Sequence, residues 1–210
     1  MIEQHIDFNP KVVFEIGVGP CNTSRSRPFW ETAECHLFEP LRKFVIGLRK
    51  DVAKFPKVHL HEVAIWKESG QTKFFTEGQG SFIENVDSPS KQYNRGKTPK
   101  KTPKVIEGDN GEFMIQTPSQ IHKKHTQVQT ETLDVYDQGN IDVLLLDMEG
   151  AEYHALEKLV SRPRFISVEC KAGEWYVNPH LQEIEYWMNR EGYEEVGTDG
   201  DADFYFKRKT

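Results

Sequence analysis

Ile141–Met148 reads IDVLLLDM, a nearly unbroken apolar run bounded by aspartates. A strand with one wet face alternates apolar and polar residues, whereas a strand covered on both faces stays apolar throughout. The run therefore predicts a central parallel strand. Downstream, Ala151, Ala155, Leu156, Leu159 and Val160 recur at helical spacing and predict a helix. Arg164–Cys170 (RFISVEC) predicts the next strand. Asn178 suits an N-cap and Pro179 a first helical position, with Leu181, Ile184, Trp187 and Met188 as the apolar stripe and Gly192 as the stop. Tyr193–Gly197 and Asp203–Lys207, on either side of a TDGD turn, predict a closing hairpin.

Upstream, Val12–Gly17 (VVFEIG) predicts a buried strand entering a tight Gly-x-Gly turn. Cys35–Glu39 predicts a second strand; Pro40 suits the first turn of a helix carrying Leu41, Phe44, Val45, Leu48 and Val52 on one face. Val58–Ile65, Thr72–Thr76 and Val128–Leu133 predict three more extended segments. Strands alternating with helices imply an α/β fold: a mostly parallel sheet with helices on both faces. Ligands of such sheets sit beyond the carboxyl ends of the strands. Those ends hold Glu15, Gly17 and Gly19, then Glu39, then Asp147 and Glu149, then Glu169.

Composition limits the reading further. The 210 residues suit one domain. No apolar run approaches the ~20 residues of a membrane span, and the N-terminus lacks the basic-then-apolar pattern of a secretory signal. Three widely spaced cysteines without a CxxC argue against a disulfide framework or a cysteine zinc site. The expectation is a soluble cytoplasmic protein with no resident metal. Net charge is −6, yet Ser88–Lys104 (SPSKQYNRGKTPKKTPK) carries six basic residues and no acid. This stretch falls within an expected basic, Pro- and Lys-rich insertion at about 86–110, which is either a solvated surface segment or an arm for an anionic substrate. Its Gly96-Lys97-Thr98 lacks the earlier glycine of a phosphate-binding loop, because position 91 is Lys91.

A glycine turn after the first strand and an acid ending the second suit a nucleoside ligand, the acid accepting both ribose hydroxyls. Dinucleotides and S-adenosylmethionine both fit that pattern. The details favour the second. A dinucleotide fingerprint starting at Gly17 needs a third glycine where Asn22 stands, and Glu15 would repel a pyrophosphate while favouring a sulfonium and an ammonium.

Several blocks resemble the FkbM-type S-adenosylmethionine-dependent methyltransferases. The glycine turn Glu15–Ser24, Phe38-Glu39-Pro40, His61–Gly70, Gly80-Ser81, Thr132-Leu133-Asp134, Ile141-Asp142 and Leu146–Glu152 (LDMEGAE) match the family's motifs. The resemblance implies a class I methyltransferase fold, Rossmann-like, with a seven-stranded sheet and an antiparallel last strand. It implies cofactor contacts at Glu15, Gly17, Gly19, Glu39, Ala64 and Asp147. The sequence departs from the family pattern in three places: Gly19 stands for an asparagine, Cys21 for a glycine and Leu145 for a lysine.

Methyl transfer needs an acceptor held in line with the sulfur–methyl bond, and a hydroxyl acceptor also needs a base. Asp147 and Glu149 are the candidates, on one side of the strand if it runs that far. Asp147 could instead bind the cofactor's amino-acid portion, and Glu149 and Glu152 could simply start the next helix. Asp147 with Glu169 could hold a divalent cation, although a hydrogen-bonded strand end explains Glu169 as well. His59 with His61, and His122 with His125, lack carboxylates at zinc-site spacing in the sequence. His125 is a candidate mobile base, and His154 is expected to be exposed. The tryptophans read as core, with Trp175-Tyr176 the one pair placed to stack on a ligand. The function expected is O-methylation of a small molecule or glycan. The alternatives are nucleic-acid methylation through the basic insertion, which the acidic body disfavours, and a non-catalytic nucleoside-binding module.

Overall fold

The computed structural model describes residues 2–77, 80–83, 104–107, 113–116, 125–172, 176–200 and 202–209. In chain order, β1 (Val12–Ile16), β2 (Glu34–Phe38), helix α1 (Arg42–Val52) and β3 (Val58–His61) come first. β4 (Ala64–Ile65), β5 (Gly70–Glu77), β6 (Gly80–Ile83), β7 (Lys104–Glu107), β8 (Phe113–Gln116) and β9 (His125–Glu131) follow. Then come β10 (Val143–Leu146), α2 (Glu152–Glu157), β11 (Phe165–Glu169), β12 (Lys171–Ala172) and β13 (Tyr176–Val177). α3 (Leu181–Arg190), β14 (Tyr193–Thr198) and β15 (Asp203–Arg208) complete the chain.

Seven strands make the main sheet in the order β14-β15-β11-β10-β1-β2-β3. β1 pairs in parallel with β10 on one side and β2 on the other, so the strand order reverses beside β1. That reversal opens a crevice at the carboxyl ends, where the loops diverge. β15 runs antiparallel to both β11 and β14. Every residue of β10 is buried, as its unbroken apolar run requires.

Alternation along the strands sorts the core into two clusters. Phe14, Phe38, Leu144 and Ile166 pack with Leu156 of α2 and with Ile184 and Trp187 of α3. Val13, Leu37, Val143, Leu145 and Phe165 pack with Leu48 and Val52 of α1 and with Trp30. Leu145, at the position of the family's lysine, is thus a fully buried core residue. A second sheet, β4-β9-β5-β6, has its own cluster of Ala64, Phe74, Ile83 and Val128, joined by Leu41 and Ala151, the residues just before α1 and α2.

The structure departs from the sequence expectations at several boundaries. Val58–Ile65 is not one strand. β3 pairs with β2 only as far as Phe38↔His61, after which the chain leaves the main sheet and Ala64–Ile65 pairs with β9. Pro40 stands two residues before α1, because Glu39 Oε1 accepts the Leu41 N–H at 2.7 Å and Leu41 is extended. Asn178 does not cap α3. Its Oδ1 accepts the His180 N–H, and its Nδ2 donates to Glu152 and to the Glu169 carbonyl, which places the turn before the helix. Val160 lies beyond α2 and is 57% exposed. His154 is half-buried against the rings of Trp66 and His180. Tyr176 is fully buried, a packing residue. Residues 84–103, which hold most of the basic insertion, and His122 and Trp175 lie outside the described residues. Among the described residues, no helix is long and apolar enough to cross a membrane.

Candidate functional site

The turn after β1 passes close against the end of β10. Gly17 has φ +85°, and its N–H donates to the Phe38 carbonyl at 3.0 Å. A Cβ on Gly17 would stand 1.8 Å from the Asp147 carbonyl oxygen, so β1 and β10 close at this point only around a bare backbone. Gly19 (φ +64°) is held differently: its N–H donates to Glu39 Oε2 at 2.8 Å. The Glu39 carboxylate therefore bridges the amide of the glycine turn and the amide of Leu41 before α1. Glu39 is only 4% exposed, and burial pushes its carboxyl up to about 7 despite those two donors. A carboxylate has about four acceptor sites, so two N–H bonds leave room for a ligand's hydroxyls.

The opposite wall comes from the end of β10. Asp147 donates its N–H to the Ile16 carbonyl and opens its side chain, 42% exposed, toward the crevice. The strand stops at Leu146, and Glu149 adopts a left-handed φ of +56°, so strand alternation does not set where Asp147 and Glu149 point. This turn is fixed by the fully buried Glu152, whose Oε1 accepts the Met148 N–H at 2.6 Å and the Gly150 N–H at 3.3 Å. Glu152 Oε2 takes the Asn178 amide at 2.6 Å. Glu152 thus shapes the turn that presents its neighbours.

These carboxylates crowd one another. Burial, then Asp147 and Glu152, raise Glu149 to about 8. Burial, then the charges of Asp147, Glu152, Glu149 and Asp203, raise Glu169 to about 11, and its Oε2 is buried without a hydrogen-bond partner among the described residues. Burial raises Glu152 to about 7. Arg25 provides the counter-charge: its Nη1 donates to Asp203 Oδ2 and to Ser167 Oγ, and its Nη2 stands 3.7 Å from Asp147 Oδ2. The sequence reading missed Arg25, because nothing in the TSRS stretch pairs it with strands more than a hundred residues away.

This crowding predicts how stability responds to pH. Glu39, Glu149, Glu152 and Glu169 keep protons in the folded state that the unfolded chain would have lost, so the folded protein binds more protons above pH 4.5. Stability then falls as pH rises, roughly 1.4 kcal/mol per pH unit for each extra proton held. Half-buried His61, pushed down to about 4 by desolvation, acts with the opposite sign only below its ordinary value of 6.5. The ligand-free thermal midpoint is therefore expected to drop between pH 7 and 8.5. A flat or rising midpoint would contradict the carboxyl assignments.

Gly17, Gly19, Glu39, Ala64, Asp147, Glu149 and Glu169 all line one cavity of about 810 Å³, within the range of small-molecule sites. Its apolar wall includes Phe38, Phe44, Val63, Ile65, Phe74 and Ile83, supplied by both sheets. Glu15 is the exception among the expected cofactor contacts, and the structure corrects its role. It is 2% exposed, does not line the cavity, and accepts from Ser24 Oγ, the Arg25 N–H, and both the N–H and Oγ of Ser26. Its carboxylate is spent on folding the loop that delivers Arg25. His125 opens β9 and is not among the cavity's lining residues.

A family model described as the methyltransferase FkbM domain matches residues 28–195, starting after the glycine turn and ending inside β14. Among solved structures, the methyltransferase FkbM from Methylobacillus flagellatus KT superposes with a TM-score of 0.52 at 11% identity, a likeness of fold. The match covers 95% of this chain but only 43% of that one. A TehB-like SAM-dependent methyltransferase from Corynebacterium glutamicum ATCC 13032 Kitasato gives a TM-score of 0.43 at 9% identity, over 99% and 85% of the two chains. No curated protein matches the sequence.

Proposed function

This chain belongs to the methyltransferase FkbM domain family, and from that premise we propose that it is an S-adenosylmethionine-dependent methyltransferase acting on a hydroxyl of a small molecule or glycan. The observation that carries the reading is the convergence of Gly17, Gly19, Glu39 and Asp147 on one cavity at the strand-order reversal. The donor set fits the cofactor. The acidic wall of Asp147, Glu149 and Glu169 suits a ligand that bears ammonium and sulfonium charge, because a cation beside Glu149 and Glu169 draws off the protons that crowding holds on them, whereas the pyrophosphate of a dinucleotide would gain nothing there. When bound, the cofactor supplies an electrophilic methyl group.

The residues take distinct roles in this proposal. Glu39 accepts the ribose hydroxyls, held in place by the amides of Gly19 and Leu41. Gly17, Gly19 and Ala64 let a ligand approach the backbone, and Asp147 faces the cofactor's amino-acid end. Glu149 accepts the proton of the acceptor hydroxyl: its raised carboxyl, about 8, is basic enough to do so, and positive charge nearby favours its ionised form. Phe44, Phe74 and Ile83 form the acceptor wall and exclude water.

Calorimetric titration with S-adenosylhomocysteine and NAD side by side tests the proposal. S-adenosylhomocysteine is expected to bind and NAD to show no heat of binding. Binding of NAD alone would overturn the assignment. In the same assay Glu39→Ala is expected to weaken S-adenosylhomocysteine by about 1–3 kcal/mol, the worth of charge-assisted hydrogen bonds. Unchanged affinity would remove Glu39 from the ribose site.

A further inference from the structure

A second cluster lies at the other end of the sheet, far along β2 from Glu39. Glu34 and His36 are two residues apart on β2, and His59 is the register partner of His36 on β3, so all three side chains share one sheet face. The spacing within the sequence hides this arrangement, because the carboxylate and the second imidazole come from neighbouring strands. Glu34 Oε1 lies 3.3 Å from His36 Nε2 and 3.5 Å from His59 Nε2. One ligand atom from each of the three falls within 4.8 Å of the others.

Those separations have a chemical meaning. Two ligands each about 2.0–2.1 Å from a tetrahedral zinc ion stand roughly 3.3 Å apart. The two Glu34 distances already match. The remaining pair, His36 and His59, closes by a small rotation of the half-exposed His59 side chain. His36 is also oriented from behind, because its Nδ1 lies 3.1 Å from His61 Nε2. With the Nδ1 proton donated to His61, the Nε2 lone pair of His36 points into the cluster, the orientation that a hydrogen-bond partner behind the ring imposes on metal-binding histidines. The His36 ring stacks on Phe14 and is held at its edge by His61, which restricts its rotation. A hollow of about 290 Å³, lined by Glu34 and His59 with Lys11, Thr32, Pro56 and Lys57, leaves space for a fourth, water ligand, and the two lysines favour a site that keeps the Glu34 carboxylate ionised.

We propose that Glu34, His36 and His59 bind a divalent transition-metal ion of the zinc class that ties edge strand β3 to β2. Imidazole and carboxylate donors suit zinc, and three protein ligands leave one position open. The site is separate from the 810 Å³ cavity, none of whose lining residues it shares. The metal's role is to hold the two strands whose far ends carry Glu39 and the Val63–Ile65 wall.

Metal-free protein, prepared by dialysis against a chelator, would be titrated with zinc by calorimetry and with cobalt(II) by visible absorption. One equivalent of zinc is expected, with a cobalt spectrum of four or five coordination and a raised thermal midpoint. His59→Ala and Glu34→Gln should each weaken zinc at least about tenfold and abolish the midpoint rise. Both side chains are substantially exposed, so neither replacement disturbs the core. Glu169→Gln, in the acidic crevice, should bind zinc as the parent does. The proposal is overturned if the parent shows no saturable binding below millimolar zinc. It is equally overturned if His59→Ala and Glu34→Gln bind as the parent does, or if Glu169→Gln is the variant that loses the metal.

Discussion

Gly17→Ala is expected to abolish S-adenosylhomocysteine binding and to lower unfolding stability by about 2–4 kcal/mol. Two effects add. The left-handed φ of +85° strains any L-residue by about 1–2 kcal/mol. The new methyl would also meet the Asp147 carbonyl at 1.8 Å, a distance that only separation of β1 from β10 relieves. That separation moves Asp147 and opens the ladder in which its N–H bonds to Ile16. Gly139→Ala is the control. Gly139 has a similar φ of +82°, but a methyl added there would meet nothing within 4 Å, so it should show the strain alone and leave binding intact. Chemical denaturation and calorimetry on both variants separate the two effects. Equal losses would mean that the contact with Asp147 is not the constraint.

Arg25→Met is expected to cost about 3–5 kcal/mol, the range for removing one partner of a buried ion pair. Asp203, 14% exposed, would lose its guanidinium, and Asp147 would lose the nearest positive charge in a crevice that already holds Glu149 and Glu169. Asp203→Asn in the Arg25→Met background should recover at least half of that loss, because it removes the stranded charge. If the double variant is as unstable as the single, the arginine acts through packing rather than charge. Urea unfolding at fixed pH measures all three proteins.

The parallel sheet was legible because its strands are buried on both faces, and a run such as Val143–Leu146 has no other comfortable environment. The crevice was legible for the same reason: once the strands are placed, Gly17, Glu39 and Asp147 must lie at their carboxyl ends. Three features were not. Val58–Ile65 looks uniform along its length, and only the end of β2 at Phe38 determines that the run divides between two sheets. Glu15 sits at the right strand end, but which carboxylate meets a ligand depends on which has donors behind it. The hydroxyls of Ser24 and Ser26, nine and eleven residues on, satisfy Glu15 entirely within the fold. Arg25 and the Glu34–His36–His59 group depend on register between separate strands, which no local spacing encodes.

The division of the Val58–Ile65 run has a mechanical consequence. Only Glu62 and Val63 separate β3 from β4, so the three Cα steps from His61 to Ala64 reach at most about 11 Å when fully stretched. The layer that carries Glu39 and the layer that carries Phe74 and Ile83 are therefore tethered by a leash too short to let them part. The crevice between the two layers is limited covalently at this edge, and lengthening the leash by one residue would let the layers move further apart there.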